Sequence, residues 1–133
     1  MSERNVRLTA AAIDAFNRAD LDSYLELLDP AVRFKPYEVW AGDGDPLGGH
    51  AAVRAWWEAA FGALPDLRAE VDEIRDLGDW TLVRGWISGQ AEASGLPIER
   101  PMWIVVEWRD HQAVGWCSCS SEAEALEAAG LEY

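Results

Sequence analysis

Two basic side chains stand inside apolar runs: Lys35 in Phe34-Lys35-Pro36, and Arg84 in Leu82-Val83-Arg84-Gly85-Trp86. A cation held away from water is costly unless paired, and a ligand carboxylate or phenolate is one such partner. Each has an ordinary alternative. Lys35 can reach solvent along its flexible stem, and Arg84 can pair with Asp14, Glu38 or a cross-strand acid. Cys117 and Cys119 are two apart, so on a strand they share a face. No basic residue lies near them in sequence to lower a thiol pKa, and they read as inert. His50 follows Gly48-Gly49 as an exposed helix-end residue, and His111 sits in the hairpin Arg109-Asp110-His111-Gln112. The two histidines belong to unrelated segments with no metal-ligand spacing around them. Gly42-Asp43-Gly44-Asp45 lacks the lysine and the following helix register of a phosphate loop, and resembles a calcium loop only superficially. The sequence therefore calls for no metal and no cofactor.

What positions these groups is a chain of 133 residues, one domain spanning 1–133. Such a chain buries roughly two-thirds of its unfolded surface and needs no disulfide or metal to hold a core. With 11 basic and 24 acidic residues the net charge is -13. A uniformly acidic surface repels phosphate backbones and anionic lipid, which argues against nucleic-acid and membrane partners. Apolar runs are too short to span a bilayer. The opening MSERNVR leads into an amphipathic pattern rather than the apolar segment of a secretory signal. The expectation is a soluble cytoplasmic protein.

Val6, Thr9/Ala10, Ile13 and Phe16 recur at helical spacing, which predicts a helix over about 4–18. Asp20 is a good N-cap for a second helix whose apolar face is Leu21, Tyr24, Leu25 and Leu28, stopped by Asp29-Pro30. Residues 31–37 read as a short strand that Pro36 confines to an edge or a strand end, 41–49 as a loop, and Gly49 to Leu64 as a third helix with a stripe of Val53, Trp56/Trp57, Ala60/Phe61 and Leu64. Beyond Pro65 the pattern alternates. Residues 67–76, 79–90, 98–109 and 112–120 read as four consecutive antiparallel strands, followed by a helix over Ser121–Ala129 that Gly130 terminates. Helices followed by a meander imply an α+β domain, a curved antiparallel sheet packed on three N-terminal helices in a cone shape.

Three segments, AFNRADLDSYLELLDPAVRF, PLGGHAAVRAWWEAAF and VGWCSCSSEAEALEAAGL, in this order and spacing, resemble the SnoaL-like group of the nuclear-transport-factor-2-like superfamily. The resemblance covers nearly the whole chain and implies the cystatin-like α+β barrel, with a pocket between sheet and helices. The superfamily includes isomerases, epoxide hydrolases, polyketide cyclases and non-catalytic proteins, so fold does not give function. Aligned with ketosteroid isomerase-like members, this chain has Lys35 where the aspartate base belongs, and Ala12 and Ile104 where the oxyanion-hole groups belong. Against epoxide hydrolase-like members, Arg84 matches the arginine, but Trp86 and Ser118 replace its two aspartates. The acid that the cyclases carry near the end of the last strand meets Cys117-Ser118-Cys119-Ser120-Ser121. Each inherited site is substituted.

Lining the strands up with the family turns Leu82, Arg84, Trp86 and Ser88 inward. Met102, Ile104, Val106 and Trp108 join them from the next strand, and Trp116, Ser118 and Ser120 from the last. Helices add Phe16 and one of Trp56 and Trp57. The expected ligand site is thus Phe16, Lys35, Trp56, Arg84, Trp86, Met102, Ile104, Trp116 and Ser118, with Lys35 and Arg84 as the only catalytic candidates. A lysine desolvated beside Arg84 would have a lowered pKa and act as base or nucleophile. The implied partner is an apolar or aromatic anionic small molecule, to be isomerised, cyclised, cleaved or simply bound. Any single tryptophan also reads as core or dimer surface. The outer face would show Thr81, Val83, Ile87, Trp103 and Val105, apolar enough to predict a symmetric homodimer through it.

Overall fold

The computed structural model describes residues 3–35 and 47–130. The end of the expected 31–37 strand, most of the 41–49 loop with its Gly42–Asp45 motif, and Glu38 lie outside the described residues. Helix α1 (Glu3–Asn17) buries Thr9, Ala12, Ile13, Ala15 and Phe16; of the expected stripe Thr9, Ile13 and Phe16 are buried, Val6 is half-buried and Ala10 is exposed. Asp20 caps α2 (Leu21–Glu26) by accepting hydrogen bonds from the Ser23 amide at 3.2 Å and the Ser23 hydroxyl at 2.7 Å. Leu28, expected on the helical face, instead opens strand β1 (Leu28–Lys35) and is fully buried there. Pro30 accounts for this, because it holds Asp29 in an extended conformation and the helix must end sooner.

After the two-residue β2 (Leu47–Gly48), helix α3 (Gly49–Ala63) buries Val53, Trp56, Trp57 and Ala60. Strands β3 (Arg68–Asp76), β4 (Trp80–Gln90), β5 (Pro97–Arg109) and β6 (Gln112–Cys119) form the expected antiparallel meander. The sheet order is β2-β1-β6-β5-β4-β3, and β1 joins it parallel to β6. A final helix, α4 (Glu122–Ala128), is capped by the Ser121 hydroxyl, which accepts from the Glu124 amide at 3.1 Å. Among the described residues no helix is long and apolar enough to cross a membrane.

The sheet coils into a cone, and Gly85 shows how one residue type permits it. A Cβ on Gly85 would lie 1.9 Å from the Glu70 carbonyl oxygen, beside the register shift between Val71 and Glu73. Only glycine lets the β3 backbone press so close, and the bulge adds the twist that closes the curve. Helix α1 packs on β3 and β4, and α3 on β1 and β2. At one end of this layer a buried polar pin ties helix to sheet. The Thr9 and Thr81 hydroxyls lie 2.7 Å apart, and the Trp108 indole N–H lies 3.1 Å from both.

Strand β4 turns its faces opposite to the sequence expectation. Thr81, Val83 and Ile87 point toward the helices, whereas Leu82, Arg84, Trp86 and Ser88 point away from them. The pairings Val83↔Ile104 and Arg84↔Trp103 fix this, because directly opposed residues share a face. The expected outer patch is corrected accordingly. Of its five members only Trp103 and Val105 are on the outer face, and Val105 is fully buried there in a second core with Leu82, Cys119, Ala125 and Ala129. Helix α4 packs on β5 and β6 to make that core.

Candidate functional site

Between the helices and the inner face lies an apolar cavity lined by Ile13, Phe16, Tyr24, Phe34, Trp56, Ala69, Ile87, Met102, Ile104, Trp116 and Ser118. Helices α1, α2 and α3 supply Phe16, Tyr24 and Trp56. The parallel pairing of β1 with β6 sets Phe34 beside Trp116. The rings form a continuous cluster. Phe16 stacks with Trp56 at 6.3 Å, Phe34 meets Trp56 edge-on at 5.4 Å, and Tyr24 meets Trp116 edge-on at 5.4 Å. Such contacts add about 0.5–1.5 kcal/mol each beyond simple burial. The space they leave is about 30 Å³, room for a water or two. A larger guest therefore enters only by displacing side chains.

Two hydroxyl-bearing residues are among the lining, Tyr24 and Ser118. Tyr24 is 2% exposed, and burial alone raises the pKa of its phenol, so it stays protonated and able to donate. Its hydroxyl makes no hydrogen bond to a described residue. Among the described residues, the lining holds no carboxylate, histidine, lysine or arginine.

Six expected site residues are brought together here: Phe16, Trp56, Met102, Ile104, Trp116 and Ser118. Three are not. Arg84 is exposed on the outer face, opposite Trp103 on β5 and Glu73 on β3. Trp86 is 42% exposed on the same face. Asp14, considered as a partner for Arg84, is engaged by Arg18 at 2.9 Å. Lys35 stands one residue beyond inward-facing Phe34, so it turns to the other side. There it lines a separate groove of about 160 Å³ with Arg33, Trp80, Gly115, Trp116, Cys117 and Ala128. The two cations do not meet, and neither enters the apolar cavity.

Sequence reasoning did not assign Tyr24 and Phe34 to the site. Tyr24 carried a signal as the only polar-tipped member of the α2 stripe. Phe34 carried none, since its position follows from a parallel pairing between distant segments. His50, expected to be exposed, is half-buried, with Nε2 2.8 Å from the Leu28 carbonyl oxygen. His111 does lie in the β5–β6 turn, where Asp110 and His111 both have positive φ.

The family model of the SnoaL-like domain matches residues 9–116. No curated protein matches the chain. Among solved structures, an NTF2-like protein of unknown function from Burkholderia pseudomallei is 25% identical, with a TM-score of 0.78 over 93% of this chain and 95% of that one. IdmH from Streptomyces antibioticus, a proposed polyketide cyclase, is 24% identical, with a TM-score of 0.75 over 94% and 97%. TerC, co-crystallised with polyporic acid, is 20% identical, with a TM-score of 0.77 over 93% and 96%.

Proposed function

This chain belongs to the SnoaL-like family, and on that premise we propose that it binds a small, neutral, aromatic or apolar compound in the inner cavity. The observation that carries this reading is the lining itself. Aromatic and aliphatic residues make up the lining together with two hydroxyl-bearing ones, Tyr24 and Ser118, with no charged group among the described residues. Apolar walls with a few placed polar groups are the usual make-up of small-molecule sites. Tyr24 and Ser118 orient the guest by hydrogen bonding to a carbonyl or hydroxyl on it. The anionic ligand read from the sequence loses its support, because both of its counter-ions lie outside the cavity.

The reading is binding rather than turnover. Proton transfer needs a group whose pKa lies near the working pH, and the phenol of Tyr24 is moved away from that range. The cyclase named among the structural neighbours is the source of the alternative, a cyclisation or isomerisation achieved by holding a reactive conformer between the rings. Titration of neutral phenols, quinones and matched carboxylates against tryptophan fluorescence tests the proposal. Neutral compounds should bind, and Tyr24→Phe should weaken a hydroxylated one by about 3–10-fold, the worth of one net hydrogen bond. Preference for carboxylates, lost in Arg84→Ala, would overturn it.

For the outer face we infer a second copy of this chain as the occupant. Exposed Trp86 and half-buried Trp103 flank Arg84, and the acidic Glu70 and Glu73 lie on the neighbouring strand. A twofold contact there would set Arg84 of each copy against the partner's acids. Trp86→Glu should convert a dimeric mass in sedimentation to a monomeric one; a wild-type chain that sediments as a monomer at tens of micromolar would exclude the dimer.

A further inference from the structure

The outer groove holds a cluster of thiols that the inner cavity does not use. Cys117 is half-buried on its floor, and its Sγ lies 3.7 Å from the Sγ of Cys119. Cys119 is 4% exposed, sealed under α4 by Leu82, Val105 and Ala125. Lys35 is the register partner of Cys117 across the parallel β1–β6 pair. The expectation of inert thiols rested on the lack of a nearby base in sequence, and the fold brings that base from 82 residues away. We propose that Cys117 is a nucleophilic thiol site that exchanges with small soluble disulfides, its thiolate held by a hydrogen bond from the Cys119 thiol and by Lys35.

Several observations agree with this division of labour. The Cys119 hydrogen bond, with help from the Lys35 charge, outweighs burial and Glu124 and moves the Cys117 thiol below its ordinary range. The same hydrogen bond and burial move Cys119 up, so it keeps its proton and acts as the donor. The charges around Cys117 are Lys35 and Arg33 from β1, Glu107 from β5 and Glu124 from α4. Arg33 is tied to Glu107 at 2.9 Å, and Glu124 accepts hydrogen bonds from the Ser120 amide and hydroxyl. Among the described residues Lys35 makes no ion pair, and its charge acts on both the Cys117 sulfur and Glu124.

In the exchange, a lone pair of the Cys117 thiolate attacks one sulfur of the reagent disulfide. A new S–S bond joins that sulfur to Cys117, the reagent's own S–S bond breaks, and the departing thiolate takes a proton from water. The protein sulfur is oxidised to the disulfide level while the leaving sulfur is reduced to a thiol. The product stays a mixed disulfide. Strand residues two apart span about 6.6 Å, near the top of the range of about 4.4–6.8 Å that a disulfide bridges. Strand β6 is also held by β1 and β5 on its two sides, which resists the pucker that a Cys117–Cys119 bond would need.

The test uses the reduced full chain and dithiodipyridine, following the released chromophore across pH and then the intact mass and peptide map. One equivalent should add rapidly, at Cys117, and at neutral pH several-fold faster than to the same chain unfolded in urea. Its rate should be half-maximal below the ordinary thiol value of about 8.5. Lys35→Gln and Cys119→Ala should each shift that midpoint upward and slow the reaction at neutral pH. A native rate at or below that of the unfolded chain would overturn the proposal, as would label on Cys119. A product two mass units lighter, with no adduct, would likewise overturn it by showing an internal disulfide. The unfolded-chain comparison needs no variant and decides the matter even if a substitution disturbs folding.

Discussion

The two faces of one sheet carry opposite chemistries. The inner face meets three helices and gathers Phe16, Tyr24, Phe34, Trp56 and Trp116 around a nearly filled cavity without a charge among the described residues. The outer face meets one short helix, which covers Leu82, Val105 and Cys119 and leaves Arg84, Trp86, Lys35 and Cys117 within reach of solvent. Alternation along each strand is the whole difference, since neighbours in sequence fall on opposite sides. Phe34 and Lys35 are adjacent, yet Phe34 lines the inner cavity and Lys35 the outer groove; Trp116 sets its ring against Tyr24 inside and also borders the groove that Cys117 lines. The inner side is built to exclude water, and the outer side is where ionisable groups work.

Substitutions on the two faces should therefore differ in kind. The largest effect belongs to the ring cluster. Phe16→Ala removes a side chain that contacts four other rings and should cost about 3–5 kcal/mol in a denaturant melt. Gly85→Ala forces a methyl against the Glu70 carbonyl, and a loss of about 1–3 kcal/mol is expected by the same measurement. An unchanged midpoint would mean that the cone does not depend on that approach.

Tyr24 gives the inner face a pH signature. Burial raises the folded pKa of its phenol, so the unfolded chain gives up this proton first, near pH 10. Its contribution is whole below that pH and is lost as pH rises, by about 1.4 kcal/mol per unit, until the folded phenol also ionises. Alkaline melts of Tyr24→Phe should lack this component. The smallest effect is reserved for the outer face. At dilutions where the chain is monomeric, Arg84→Ala should change stability by no more than about 0.5 kcal/mol, and it should leave ligand titrations unaltered; weakened ligand binding would return Arg84 to the site.

The same comparison explains what the sequence made legible. Helices, the four-strand meander and the α+β class follow from apolar periodicity, and in β5 the run Met102, Ile104, Val106 is separated from Trp103 and Val105 correctly. Strand β4 defeats such reasoning because Trp80, Leu82 and Trp86 alternate with Thr81, Val83 and Ile87, so both faces read as apolar. The cause is physical: α4 gives the outer face a core of its own, and a strand buried on both sides carries no alternation. A one-residue slip then moved Arg84 and Trp86 into the pocket. Lys35 was misplaced for a related reason, since Phe34 beside it takes the inward position. The encounter of Lys35 with Cys117 was beyond reach, because it depends on a parallel pairing that no local pattern encodes.

Fluorescence titration of a neutral aromatic compound, run in parallel on the wild type, the double variant Lys35→Met/Arg84→Ala, and a cavity-filling Ile104→Phe chain verified as folded, tests the inner cavity most directly. Equal affinity for the first two proteins and at least a tenfold loss in the third is the predicted result. Binding that survives Ile104→Phe but vanishes with the two cations would contradict it.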